Sequence, residues 1–303
     1  MLRVTLFLKA SVAALSVLIF SVAFAPASMA QAAPNPALWK ISDEDSNIYL
    51  FGTIHILNPD LEWRNEKINT AFAASKTVVF EAPADTSDPS KMQALVARYG
   101  VNTDGSKLSD KISAESYQLL DTTLQNFGMP PGSVANFEPL RPWLVGLTVT
   151  ALHVQAQGGD PNAGVEKVLG AAAAANNMTV AYLETDEQQM QIFSGLSKGA
   201  ERFFLEDGLK QIQGNPEMLD EMVFLWQAGD IEALEEMLFA SLVEQPELYE
   251  AMLTKRNKDW ANQIEQMLAG SGDIFIAVGA AHLVGDDSVQ ELLEEKGITT
   301  VRQ

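Results

Sequence analysis

The chain has 303 residues, of which 47% are apolar and 20% charged, a composition typical of a globular protein with a sizeable core. Its 40 acidic and 20 basic residues give a net charge of −20, which argues against nucleic acid or an anionic membrane as a partner. Because it contains no cysteine, it has no disulfide, no cysteine-linked lipid and no thiolate metal ligand.

The N-terminal segment, residues 1–30, differs from the rest of the chain. Arg3 and Lys9 precede a mainly apolar run, and small residues follow at Ser28 and Ala30. This order predicts a secretory signal peptide that is cleaved after Ala30. The alternative is a membrane anchor, but the apolar run is short for a span, which needs about 20 apolar residues.

An export signal without a lipid-bearing cysteine favours a periplasmic protein that keeps no stable membrane anchor after cleavage. Residues 31–37, QAAPNPA, are predicted to be a flexible linker, and residues 38–303 a single α/β domain.

Apolar runs bounded by turn residues predict a set of short strands. The first two, at 38–41 and 48–51, flank the polar stretch SDEDSN and are expected to form a hairpin. The remaining strands are predicted at 77–80, at 179–183, at 274–278 and in the final GITTVRQ. Such continuous apolar runs are typical of strands that are buried on both faces.

Helical patterns fill the intervals between these strands, and TDEQ at 185–188 predicts a capping box that opens a helix. Strands and helices alternate at both ends of the chain. The sequence therefore predicts an α/β fold with a central mixed, mostly parallel sheet and a large helical insertion, at about 85–265, that forms a cap over the carboxyl ends of the strands.

Two of the three histidines lie in the same local pattern. Gly52 and His55 follow one predicted strand, and Gly279 and His282 follow another. Glycine permits a positive φ or a close backbone approach where a strand ends, and the third residue onward can then point back over the sheet edge. Two facing imidazoles with a carboxylate between them would form a divalent-metal site, or a catalytic imidazole oriented by a carboxylate.

Carboxylates also follow predicted strands, at Glu81 and Glu184. Ligands bind outside the carboxyl ends of strands in open α/β sheets, so these groups are expected near the two histidines. His153 lies on an apolar helix face and is expected in the core. Arg256 and Trp260 are four residues apart on one helix face, where a stacked or paired structural role is expected.

The sequence resembles the TraB/GumN family of bacterial exported proteins. The similarity covers nearly all of the mature chain and rests on LWKISDEDSNIYLFGTIHIL, VVFE, GVEKVLGAAAAANNMTVAYLETDEQQ, LTKRNKDWANQIEQML and IAVGAAHLVGDDSVQELLEEKG. The family is related to the Tiki proteins, described as metal-dependent proteases, and more distantly to erythromycin esterase-like proteins.

The resemblance implies a site at His55, Glu81 and His282, and it matches a family arginine to Arg256. Two positions depart from the family, which often has Asp at the position of Glu166 and Glu at the position of Lys255.

The sequence thus predicts a metal-dependent hydrolase, possibly a peptidase, acting on a peptide or envelope-derived substrate. His55 and His282 are expected to bind Mn²⁺, Co²⁺ or Zn²⁺. Nitrogen and oxygen ligands do not discriminate between these three ions. Glu81 is expected to be a third ligand or the general base for a metal-activated water, and Arg256 to stabilise the oxyanion. Gly52, Gly279 and Glu184 are expected to support these residues.

Two alternatives remain at this stage. One is a metal-free, esterase-like hydrolase in which a His–Glu pair is the general base. The other is a non-catalytic protein that binds a peptide or envelope component. No HExxH motif and no glycine-rich phosphate loop is present in the sequence.

Overall fold

A computed structural model describes residues 33–83 and 89–303. The predicted signal peptide at 1–30 lies outside the described residues. Within the described ranges, no helix is both long enough and apolar enough to cross a bilayer.

The described residues contain one six-stranded sheet, in the order β4-β3-β5-β2-β1-β6. The strands are β1 (Leu38–Ser42), β2 (Ser46–Thr53), β3 (Thr77–Phe80), β4 (Thr179–Tyr182), β5 (Gly272–Gly279) and β6 (Val301–Arg302). Three of the five pairings are parallel, those that join β4, β3, β5 and β2, whereas β1 lies antiparallel to both β2 and β6. The mixed, mostly parallel sheet and the hairpin predicted from the sequence are confirmed.

Helices occupy the intervals between the strands. They are α1 (Glu66–Ala74), α2 (Pro89–Tyr99), α3 (Ala114–Asn126), α4 (Pro142–Ala156), α5 (Val165–Ala175), α6 (Asp186–Ser194), α7 (Lys198–Gly214), α8 (Met218–Ala228), α9 (Ile231–Phe239), α10 (Pro246–Tyr249), α11 (Lys255–Leu268) and α12 (Val289–Glu295). The predicted capping box is present, since Thr185 and Gln188 exchange side-chain and backbone hydrogen bonds at the start of α6.

Both faces of the sheet are buried, as the continuous apolar strands require. Side chains of β2 and β5 alternate between two cores: Phe51 and Phe275 belong to one, and Leu50 and Ile276 to the other. Helices α1, α5, α8 and α9 cover the first face, while α11 and α12 cover the second, where Trp260 is fully buried.

The helices between β3 and β5 have a further core of their own, built from α3, α4 and α7. Strand β4 divides this helical insertion and extends the sheet at its edge. The insertion reaches the carboxyl ends of the strands through Gln189, which donates to Glu81, and through Trp226, whose Nε1 donates to the Gly52 carbonyl over 2.9 Å.

The part of the predicted linker that the structure describes, 33–37, is attached to the domain. The Asn35 N–H donates to the Gln227 carbonyl over 2.8 Å, and Ala37 packs in the second core. The folded part therefore begins a few residues before β1.

Candidate functional site

The two Gly-x-x-His turns lie side by side because β2 and β5 are parallel neighbours. Thr53 pairs with Gly279, so both strands end at the same height. Neither Gly52 nor Gly279 has a positive φ, so the expectation of a positive φ at these glycines is wrong. The glycines are instead required because the backbones approach closely. A Cβ on Gly52 would lie 3.1 Å from the Ala280 Cα.

The three groups predicted to share a site are brought together around Gly279. A Cβ placed on this glycine would lie 3.0 Å from Glu81 Oε1, 3.6 Å from His282 Cδ2 and 3.8 Å from His55 Nε2. Any larger residue would enter the space between the imidazoles and the carboxylate. The matched turns thus direct both rings toward one point at the carboxyl edge of the sheet.

His55, in the first turn, is paired with a carboxylate. Its side chain is 66% exposed, and its Nδ1 lies 2.7 Å from Oε1 of Glu166, in the first turn of α5. Desolvation disfavours a charge on the ring, but the attraction and hydrogen bond of Glu166 outweigh it and raise the pKa of His55 to about 9. His55 is therefore an imidazolium at neutral pH unless another cation replaces its proton.

His282, in the second turn, is buried, and its Nδ1 lies 2.5 Å from Oδ1 of Asn257. Its ring packs against Trp260 with centroids 4.3 Å apart. Burial lowers the pKa of His282 to about 3, and the nearby positive charge of Arg256 acts in the same direction. Because an amide oxygen only accepts, Nδ1 carries the proton and Nε2 carries the lone pair.

Glu81 lies directly after β3 and is buried among donors. Its Oε1 accepts from the Gly279 N–H over 2.6 Å, and its Oε2 accepts from Arg256 over 2.7 Å and from Gln189 over 3.1 Å. Burial opposes a charge on Glu81, but the neighbouring His282, Arg256 and His55 and the Gly279 N–H lower its pKa to about 2. Since His282 is neutral above about pH 3, Arg256 is the permanent partner of this carboxylate.

Arg256 follows a π-helical turn, Glu250–Thr254, and enters the site at the start of α11. Its guanidinium lies 4.7 Å from the Trp260 ring centroid, the stacked arrangement predicted from the sequence.

Each of the five N–H donors of Arg256 has a partner in the structure. Nε and Nη2 each donate to Glu184 over 2.9 Å, and Nη2 also donates to Glu81 over 2.7 Å. Nη1 donates to the Met252 carbonyl over 3.0 Å and lies 2.9 Å from His282 Nε2. In this arrangement Arg256 keeps no donor for a substrate oxyanion, which differs from the role expected for it. It binds the two buried carboxylates together.

Imidazole nitrogens and a carboxylate have the donor chemistry that a divalent ion prefers. Both histidines also have the second partner that usually orients a metal-bound ring, since Nδ1 of His55 is held by Glu166 and Nδ1 of His282 is held by Asn257. Within the described residues, however, no three His, Asp or Glu side chains are already close enough to hold an ion. The residues fit a metal provided that Arg256 releases His282 Nε2.

Other residues near the site were not identified from the sequence, or only in part. Gln189 and Asn257 gave no pattern signal, because each is a single amide in an amphipathic helix. Glu184 precedes α6, but its side chain accepts from Arg256 and from Trp260 Nε1, the latter over 3.2 Å. Lys255 is 71% exposed and lies 3.5 Å from Glu250, outside the site.

A mostly parallel α/β sheet with two histidine turns and a buried Glu–Arg pair at its carboxyl edge defines a class of α/β domains with a polar site at the strand ends. Residues 37–302 match the model of the TraB/PrgY/gumN family, and the chain belongs to this family. No curated protein and no solved structure matches the chain.

Proposed function

We propose that this protein is a metal-dependent hydrolase, with His55 and His282 as the nitrogen ligands and Glu81 as a third ligand or base. The observation that supports this most is the convergence of the two imidazole rings and Glu81 on the Gly279 position, with each Nδ1 already held by another residue. Mn²⁺, Co²⁺ or Zn²⁺ would be compatible with these ligands.

A bound divalent ion would supply an activated water at neutral pH and polarise a carbonyl group. None of the three predicted site residues has a pKa near 7: the pKa of Glu81 is lowered to about 2, that of His282 is lowered to about 3 and that of His55 is raised to about 9. A good general base has a pKa near the working pH, so these residues alone are poor bases. This gap is the chemical reason for preferring a metal.

The protein groups act by position and charge. Arg256 keeps Glu81 ionised and fixes its orientation, together with the Gly279 N–H. Trp260 and Asn257 hold His282 as one tautomer. On the open side, the exposed His55 is the group that a substrate meets first.

One contact favours a second candidate, a metal-free hydrolase. Arg256 Nη1 lies 2.9 Å from the nitrogen that would bind the ion. Without a metal, the imidazolium of His55 can donate a proton to a leaving group, while the Glu81 carboxylate would accept one from water.

Metal analysis of protein purified without chelator separates these proposals. We expect about one divalent ion per chain in the wild type and its loss in His55→Ala, a change at an exposed side chain, with Lys255→Ala as the matched control. Hydrolysis of a mixed peptide library and of small esters would be measured before and after exhaustive chelation. Activity that survives chelation would favour the metal-free hydrolase. A peptide that is bound tightly and recovered intact would overturn both and indicate a binding protein.

We also propose that the protein is exported to the periplasm and acts there on a peptide or envelope-derived substrate. This rests on the N-terminal pattern of Arg3, Lys9, an apolar run and Ala30. N-terminal sequencing of protein from a periplasmic fraction would test it: a mature chain beginning at Gln31 is expected.

A further inference from the structure

The first histidine turn is held by a second segment of chain, which leads into α5. The Asp160 N–H donates to the Leu57 carbonyl over 2.9 Å, and the Val165 N–H donates to the Ile54 carbonyl over 3.1 Å. Residues 160–165 therefore run along residues 54–57, on both sides of His55. This pairing fixes where α5 begins relative to the imidazole.

Gly164 makes this contact possible. A Cβ at this position would lie 2.0 Å from the His55 carbonyl oxygen, so any other residue would push the two segments apart. Two residues later, Glu166 lies in the first turn of α5 and its Oε1 is 2.7 Å from His55 Nδ1. The Thr53 hydroxyl, which is buried, donates to the same carboxylate oxygen.

We propose that Glu166 is a positioning residue for His55, and that Thr53 holds Glu166 in turn. A ring that is 66% exposed has few packing contacts to fix it, and its rotation would move Nε2 away from Glu81. His282 needs no such carboxylate, because the packing of Trp260 already confines its ring. The inference rests on the proposed function only in placing His55 at the reaction site.

The structure suggests a direct measurement of this role. The chain has three histidines, so the ¹³C relaxation of their Cδ2–Hδ2 bonds gives three ring signals. His153 and His282 are buried and serve as internal references. The order of the His55 ring would be compared in the wild type, Glu166→Ala, Glu166→Gln and Thr53→Val, without metal or substrate.

We expect the His55 ring to be ordered in the wild type and to lose that order in Glu166→Ala. Glu166→Gln keeps an acceptor oxygen and should retain most of the order, while the near-isosteric Thr53→Val should give a smaller loss. The control is Glu187→Ala, which removes another first-turn glutamate, one that pairs with Arg98 over 2.8 Å. An equally ordered His55 in Glu166→Ala, or an equal loss in Glu187→Ala, would overturn the proposal.

Kinetics provide the second readout. With a hydrolysed substrate in hand, Glu166→Ala should lower kcat by about 10–100-fold, the usual cost of losing the group that orients a catalytic ring, with little change in KM. A change in KM alone would contradict positioning. If no substrate is hydrolysed, the proposed function fails, but the relaxation result stands independently.

Discussion

The two Gly-x-x-His turns follow neighbouring parallel strands, yet their imidazoles are held in opposite ways. His55 is exposed, pairs with the Glu166 carboxylate and has a pKa raised to about 9. His282 is buried, bonds to the Asn257 amide and has a pKa lowered to about 3. The same short motif therefore carries one charged and one neutral ring.

This difference shows which property each part of the sequence determines. The strand, the glycine and the spacing place the ring at the sheet edge. The surroundings of the ring decide its charge: the Glu166 carboxylate stabilises the imidazolium of His55, whereas burial and the nearby Arg256 favour the neutral ring of His282. The following changes test this division between location and charge.

Removal of Arg256 should have the largest effect on the unfolding free energy, and it should disturb the second turn, which carries His282. Arg256→Ala leaves Glu81 and Glu184 buried without their cation, which typically costs about 3–5 kcal/mol of unfolding free energy. Urea unfolding monitored by fluorescence would measure it. Arg98→Ala is the control, because its pair with Glu187 is exposed and should contribute less than about 1 kcal/mol. An equal loss of unfolding free energy in the two variants would contradict the role of Arg256 as the cation that stabilises the two buried carboxylates.

A methyl group at Gly164 should disturb the first turn. Since its Cβ would lie 2.0 Å from the His55 carbonyl oxygen, Gly164→Ala is expected to lower the unfolding free energy by about 1–3 kcal/mol. Gly170 lies within α5, which begins directly after Gly164, and nothing is within 4 Å of its Cβ position. Gly170→Ala should therefore be neutral or raise the stability by up to about 1 kcal/mol. Thermal unfolding of both variants checks this, and a loss in Gly170→Ala would refute it.

The two histidines should make stability depend on pH in opposite directions. Folding raises the pKa of His55 from 6.5 to about 9, so its stabilisation is complete below pH 6.5 and is lost as the pH rises through about 9. Folding lowers the pKa of His282 from 6.5 to about 3, so stability should fall as the pH decreases from 6.5 toward 3.

The slope for one proton is at most about 1.4 kcal/mol per pH unit, and solvent screening makes it smaller for the exposed His55. Urea unfolding across pH would be compared with His55→Gln and His282→Gln. The first variant should lose the alkaline decline, and the second should lose part of the acid one. A variant with an unchanged pH profile would show that its ring does not titrate as described.

Lys255→Ala should have the smallest effect, although it changes the direct neighbour of Arg256. Its ammonium lies 3.5 Å from Glu250 and both side chains are mainly exposed. We expect a change in unfolding free energy within about 0.5 kcal/mol, and unchanged metal content. A larger loss would place Lys255 within the site after all.

The sheet could be read from the sequence because its strands are short apolar runs that end at glycines or carboxylates. For the same reason Glu81, His55 and His282 could be placed at one edge. The partners could not be found this way. Asn257 and Gln189 reach the site only through the packing of α11 and α6, and a single polar residue on a helix carries no sign of what it will contact.

The sequence also did not predict that every N–H donor of Arg256 has a hydrogen-bond partner. A helix that carries Arg256 and Trp260 four residues apart predicts their stacking, and the structure shows it. It does not predict that two glutamates and a histidine from three different strand ends surround the guanidinium, since that depends on the order of strands in the sheet.

The pairing of β2 with β5 joins the beginning of the domain to its end. During synthesis, His55 leaves the ribosome more than two hundred residues before His282. The N-terminal part of the nascent chain therefore has strand β2 but lacks the neighbour that completes the site. Such long-range closure is slow, and it makes chemical competence a late event that coincides with completion of the sheet. A chain that has not yet formed the sheet therefore lacks the assembled site.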